Sequence, residues 1–424
     1  MLGNLFQLTY NAADSVIVGK YVGEQALAAV GTSTPIMNIA ILLISGMCMG
    51  ASVLMSSQYG AKDYDTLSRQ ISTTMLAGCG FSVVFSLLML LLANPVLRLI
   101  RVPETAIPEA AAYLRIIFMG LIFTFMYNFL ANTMRALGDS KTPLYFLVTS
   151  AFLNIFGDLF FVVVLRWGVA GSAIATVCSE GLCCLLCGIY IKKKIPLLCL
   201  GKKWWVFDKS LLGKTVSYGS TSAMQQVCLQ LGKLIIQSVV NTQGVAVMAA
   251  FTAVNRVDDF AYTPQQNIGH AMTTFLAQNK GAGHKERMKK GFQTGLLIEL
   301  VYSIGLFCVI WGLAPQIMTL FAEDGDAQVV SLGISYLHLI SWMYILPGLT
   351  NGVQGFFRGI GDLKVTLYST FMNMFGRVVA VFVMIRLLQM EFASLAWANM
   401  VGWIVMLLFE VPLLVKSMRN GECG

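Results

Sequence analysis

Arg135-Ala-Leu-Gly-Asp-Ser-Lys141 returns late in the chain as Arg358-Gly-Ile-Gly-Asp-Leu-Lys364, and each copy is followed three residues on by Leu-Tyr. Outward from this pair, Gln58-Tyr-Gly-Ala61 is echoed by Gln278-Asn-Lys-Gly-Ala282, and Pro95 by Pro315. Three matches in order, at a spacing of about 220 residues, mark an internal repeat. Turn chemistry explains why Gly-Asp and Gly-Ala recur in loops, but not why they recur at one spacing.

Apolar runs fill the sequence between these motifs. A helix needs about 20 apolar residues to cross a bilayer. Runs bounded by charge, Gly or Pro give twelve spans: 1–19, 32–58, 71–99, 110–133, 143–166, 168–191, 214–240, 244–277, 291–320, 328–355, 365–388 and 392–416. Six fall in each repeat, so both repeats enter the membrane from the same side. The expected fold is therefore an all-α polytopic membrane protein, with twelve transmembrane helices in two six-helix lobes related by a pseudo-two-fold axis along the membrane normal. The expected division is an N-terminal lobe over 1–191, a basic cytoplasmic linker over 192–213 and a C-terminal lobe over 214–424. Two lobes around a cavity can expose it alternately by rocking. The first run has no charged lead and no small-residue cleavage site, so it reads as a mature span that begins inside its helix and not as a signal peptide.

Composition agrees. Charged residues make up 12% of 424 and hydrophobic residues 57%, with mean hydropathy +0.72. A soluble enzyme would have to expose far larger apolar patches than water tolerates, and a disordered chain would carry less apolar matter and more charge. Most of the ten Cys lie inside apolar runs, where they act as small hydrophobes, and none is expected to be bridged. The net charge of +8 is a matter of topology. With the loops after even-numbered spans facing the cytoplasm, twenty Lys and Arg fall on that side and six on the other. Both termini are then cytoplasmic, in a plasma-membrane protein with no nucleic-acid partner.

Ionisable groups at membrane depth are costly and mark a pathway or coupling site. Counting ~1.5 Å per residue, Asp14 lies about 9 Å below the outer end of its span, and Asp158 and Thr176 about 12 Å below theirs. Asn154, four residues before Asp158, shares its helix face. Asp14, Asn154, Asp158 and Thr176 make an oxygen-rich set suited to Na⁺, a hard cation, or to a proton shared between carboxylates. Glu180, one turn beyond Thr176, could extend a proton path, and Asn11 lies one turn before Asp14. In the second repeat, Arg256 is expected to neutralise Asp258 or Asp259, and Arg377 lies near mid-depth; with Asp258 they are further cavity residues. Lys233 and Glu410, nearer span ends, are expected to snorkel. Pro35, Pro264 and Pro347 kink their spans. Gly46 and Gly50 form a G-x-x-x-G suited to close helix packing, and abundant Met and Phe suit an adaptable cavity.

No catalytic constellation is present: His270, His284 and His338 form no H-E-x-x-H, and no phosphate loop occurs. The chain reads as no enzyme and no ATPase, with no organic cofactor and an ion gradient as its energy source.

The run Leu5-Phe-Gln-Leu-Thr-Tyr-Asn-Ala-Ala-Asp14-Ser-Val-Ile-Val-Gly19, followed by Ala26-Leu-Ala-Ala-Val-Gly31, resembles the opening helix of the multidrug and toxic compound extrusion (MATE) family. So do Met134-Arg-Ala-Leu-Gly-Asp139, Gly168-Val-Ala-Gly-Ser-Ala-Ile-Ala-Thr176 and Gln278-Asn-Lys-Gly-Ala-Gly283. The resemblance implies a secondary active multidrug exporter, an antiporter that moves amphipathic organic cations against Na⁺ or H⁺ by alternating access, acting as a monomer. Asp14, Asn154, Asp158 and Thr176 are similar to the cation site of its DinF-like and MepA-like branches. The NorM-like branch carries an acid on its seventh helix, where this chain has Gln225, Gln226 and Lys233. The alternative is a lipid-linked saccharide or lipid flippase, which would need cationic residues for pyrophosphate and has only Arg256, Arg377 and Lys233 to offer.

Overall fold

The computed structural model describes residues 14, 17–100, 102–104, 106–195, 205–321, 327–388, 390, 392 and 394–419. The first span is described only at 14 and 17–19, and residues 196–204 of the basic stretch lie outside. The helices that follow are α1 (Glu24–Gly60), α2 (Tyr64–Leu99), α3 (Ile107–Met119), α4 (Leu121–Ala136), α5 (Lys141–Asp158), α6 (Gly168–Lys194) and α7 (Lys209–Val240). Next come α8 (Val245–Gly281), α9 (Lys285–Phe321), α10 (Ala327–Ser341), α11 (Ile345–Ile360), α12 (Leu363–Val381) and α13 (Ser394–Arg419). Among the described residues eight helical stretches, with α10 and α11 counted as one, are long and apolar enough to cross a membrane, or nine with α3 and α4 taken as one bent span.

The chain divides into two compact units, Met1–Ala223 and Met224–Gly424. In the first, Leu67, Phe118, Phe129 and Met134 are among the side chains that form the core. In the second, Tyr336, Tyr344 and Ile340 sit in one cluster and Phe356 with Leu276 in another. Leu87, Leu91 and Leu99 on α2, like Leu297, Val301 and Ile304 on α9, are exposed as lipid-facing side chains should be.

The sequence repeat has a conformational counterpart. Gly138 (φ 95°) and Gly361 (φ 86°), the Gly of each Gly-Asp pair, both adopt the left-handed conformation that ends a helix without a Cβ clash. Short π-helical stretches follow α5 at Leu159–Val164 and α12 at Phe382–Leu387, at corresponding places in the two repeats. Two spans read as continuous are broken. That over 110–133 bends by 45° at Gly120 between α3 and α4. There a Cβ would meet Val177 Cγ2 at 2.5 Å, so the bend lets the chain approach α6 closely. The span over 328–355 passes through a 3₁₀ turn at Trp342–Tyr344, just before Pro347, which cannot donate to the helix ladder.

Helix contacts within the first unit use small residues. A Cβ on Gly46 would lie 2.6 Å from Ala223 Cα, and one on Gly50 2.3 Å from Tyr218 O, so the G-x-x-x-G seats α1 against the start of α7. The approach to α7 is held on α2, where Val206 N donates to Ser72 Oγ (3.1 Å) and Asp208 N to Thr73 Oγ1 (3.1 Å). The eight described cysteines are free.

Candidate functional site: a buried carboxylate pair in the first unit

Three elements bring the first-repeat polar residues together. Ser172 and Thr176, one turn apart, share a face of α6. Ser172 Oγ donates to Asp14 Oδ1, and Thr176 Oγ1 donates to the Ser172 carbonyl (3.2 Å). From α5, Asn154 Nδ2 donates to Thr176 Oγ1 (3.2 Å). Asp158, one turn further along α5, is wholly buried, and no donor among the described residues reaches either of its oxygens. Asn154 Oδ1 also lacks a donor, and Asp14 lies within Coulombic reach of Asp158.

Packing explains why α5 and α6 can lie so close: a Cβ on Gly157 would sit 3.0 Å from Ala175 Cβ, and one on Gly171 3.0 Å from the Phe161 backbone. Val18, one turn after Asp14, packs in an apolar cluster with Val30 from α1, Ile117 from α3 and Ala173, next to Ser172 on α6. Asp158 caps the π-helical stretch, a conformation that clusters at functional sites.

Two carboxylates with one hydroxyl donor between them, plus an amide oxygen and a hydroxyl, leave a surplus of acceptors in an apolar enclosure. Unpaired buried charge is strongly unfavourable, so the arrangement fits a hard cation or a proton; all its ligands are oxygens, as Na⁺ requires. Among the described residues no group of three His, Cys, Asp or Glu could hold a metal ion. Any cation here would therefore rest on two carboxylates and neutral oxygens.

Asn11 lies outside the described residues. Glu180 is half-buried and accepts from Thr124 Oγ1 of α4 (2.5 Å), deeper along the face that carries Ser172 and Thr176. Ser172 is the site residue that sequence reading passed over, although its spacing of four from Thr176 and eight from Glu180 marks one stripe of α6.

The second unit departs from expectation. Arg256 does not neutralise the adjacent acids: it is exposed and takes part in no ion pair among the described residues. Asp258 instead accepts from the Tyr344 hydroxyl (2.5 Å) and the Tyr336 hydroxyl (2.9 Å), the latter held by Asn399 Nδ2 (2.8 Å). Asp259 pairs with Lys233 Nζ (3.1 Å), so Lys233 binds a carboxylate where snorkelling was expected. The reason is directional: successive residues on α8 point about 100° apart, so Arg256 cannot follow Asp258 inward. Arg377 is half-buried, near enough to Asp258 to feel its charge. Glu410 is wholly buried, not snorkelling, beside Ser369, Gln354 and Arg358.

The family model MatE matches residues 1–160 and 222–383, two stretches whose starts lie 221 residues apart. The probable multidrug resistance protein YpnP of Bacillus subtilis is 32% identical over 370 residues, 87% of this chain and 82% of that protein. The probable multidrug resistance protein NorM of Thermotoga maritima is 23% identical over 412 residues, 95% of this chain and 87% of that one. A crystal structure of MATE in complex with MaL6 superposes with a TM-score of 0.92 at 22% identity, covering 100% of this chain and 94% of that one. The fold they share has twelve transmembrane helices in two lobes, and the protein is multi-pass. The interval between the matched stretches is that between the sequence motifs, and the chain belongs to the multidrug and toxic compound extrusion (MATE) family.

Proposed function

We propose that the chain is a secondary active exporter that exchanges amphipathic organic cations for Na⁺ or H⁺, with Asp14, Asn154, Asp158, Thr176 and Ser172 as the coupling site. The observation that carries this reading is the donor census at Asp158: a fully buried carboxylate, no protein donor on either oxygen, and a second carboxylate within Coulombic reach. Multidrug resistance is the activity named for the relatives, and it supports organic cations as the exported class.

A monovalent cation that enters from outside offsets one of the two negative charges, which relieves the repulsion between the carboxylates and favours the state that releases substrate. Its loss to the cytoplasm favours the state that binds substrate. Only a difference in affinity between the two states can drive such a cycle. The distribution of Lys and Arg supports a plasma-membrane protein with cytoplasmic termini. The cycle needs only one copy of the chain. No observation favours the flippase: Arg256 is exposed and Lys233 is paired, which leaves Arg377 alone of the three cations a pyrophosphate would need.

The test is ethidium efflux from everted vesicles, with Na⁺ and pH gradients imposed separately. Wild-type efflux should follow one of the two gradients. Asp158→Asn should abolish it at unchanged membrane expression; undiminished efflux by that variant sinks the site assignment.

A further inference from the structure

A second acceptor-only cluster lies in the other unit, among residues that the exchange reading does not use. Glu299 on α9 is 1% exposed, and no protein donor reaches either carboxylate oxygen. Beside it stand Gln265 of α8 and Ser303, one turn along α9. A Cβ built on Gly348 of α11 would lie 2.9 Å from Ser303 Oγ, 3.2 Å from Gln265 Nε2 and 3.4 Å from Glu299 Oε2. Having no side chain, Gly348 lets α11 pack directly against all three side chains and brings them to one point.

The local donors are already committed elsewhere. Gln265 Nε2 donates to Ser303 Oγ (3.1 Å) and to the Tyr344 carbonyl (2.8 Å). Ser303 Oγ donates to the Glu299 carbonyl (2.7 Å). What remains is Glu299 Oε1 and Oε2 and Gln265 Oε1, the last also wholly buried and without a donor. Asp258 makes the contrast, since two tyrosine hydroxyls satisfy it as a carboxylate. Among the described residues the Glu299 cluster has no positive charge; Pro264, next to Gln265, stands inside α8, and Pro347, next to Gly348, stands in the first turn of α11.

We propose that Glu299, Gln265 and Ser303 form a second site for one positive charge, a proton or Na⁺, independent of the Asp14–Asp158 pair. Its occupancy bears on the 3₁₀ turn between α10 and α11, because Gln265 Nε2 donates to the Tyr344 carbonyl at that turn.

The test uses the purified full chain in lipid nanodiscs, with two measurements: binding of radiolabelled Na⁺, and infrared difference spectra of carboxylic-acid bands as pH is changed without Na⁺. Asp158→Asn disables the first site and should leave, beside the acid bands of Asp14 and the other buried carboxyls, one signal that belongs to Glu299. The label identifies Na⁺; a titrating acid band without label identifies a proton. Adding Glu299→Gln, which keeps the shape of a protonated Glu, should remove that signal. A double variant that matches Asp158→Asn in both measurements overturns the proposal, as does an Asp158→Asn protein with neither signal. If Glu299→Gln does not yield folded protein, Ser303→Ala decides: a higher half-saturating Na⁺ concentration or a displaced titration supports the site, and unchanged behaviour overturns it. Failure here leaves the first-unit assignment standing, because that rests on loss of efflux in Asp158→Asn.

Discussion

Ser172 and Asp158 illustrate what one side chain reveals before its neighbours are known. An acid in the middle of an apolar run is conspicuous, so Asp14 and Asp158 stand out from sequence alone, and Asn154 follows from helical spacing. A serine in a helix of small residues is not conspicuous, because Ser usually bonds back to its own helix. Only the position of Asp14 shows that this hydroxyl is turned across to another helix. Residues at helix ends obey simpler rules. Asp63 caps α2, and hydrogen bonding from the Thr66 side chain, then from Thr66 N to Oδ1 (3.0 Å), holds its carboxyl below the ordinary aspartate range. A depressed folded-state value means the stabilisation is present above the unfolded value of about 3.9 and is lost as pH falls through the folded one. Thermal unfolding of Asp63→Asn should therefore lose less stability than wild type as pH is lowered from about 5 to 3, since an amide caps without titrating. Equal losses would show that the cap contributes nothing.

At the scale of helices, spans were legible because an apolar run of membrane length fits little besides a bilayer, while breaks within the runs were not. Gly120 and the turn at Trp342–Tyr344 interrupt runs whose composition stays apolar throughout, so nothing in hydropathy marks them. Close helix contacts were easier to read, because G-x-x-x-G places two bare backbones on one face. A methyl on Gly50 would meet the Tyr218 carbonyl at 2.3 Å and Gly219 Cα at 2.8 Å, backbone atoms that cannot swing aside. Gly50→Ala should cost about 1–3 kcal/mol, the usual penalty of overpacking. Gly80, inside α2, has open space where a Cβ would stand, with nothing within 4 Å, and Gly80→Ala should stabilise by up to about 1 kcal/mol through helix propensity alone. Unfolding of the two variants in detergent should move in opposite directions.

Across the whole molecule the repeat is a plan from which the two copies have diverged. Arg358 of the second copy is buried: its Nη2 donates to Gln354 Oε1 (2.9 Å), and the charge of Glu410 lies close by. Arg135, its counterpart, is exposed, and the position that matches Gln354 holds Ala131. The motif alone could not reveal this, since a partner more than 50 residues away helps decide which arginine turns inward. Arg358→Ala should cost about 3–5 kcal/mol by stranding a buried carboxylate, with partial recovery on adding Glu410→Gln, whereas Arg135→Ala should fall within about 0.5 kcal/mol of wild type. Thermal unfolding in a common detergent compares all three.

The paired π-helical stretches also carry a history. Leu159–Val164 and Phe382–Leu387 begin 223 residues apart, the interval that separates Arg135 from Arg358. A π turn holds one residue more than an α turn, and so records an insertion into an older helix. Because both copies carry it in the same register, the insertion entered a single ancestral half before that half was duplicated. The interval between Pro95 and Pro315 is 220, so gains or losses of residues fell between there and the Gly-Asp loops. The site beside Asp158 thus stands on a helix whose irregularity both copies share, while the second copy has Val381 at the place of the acid.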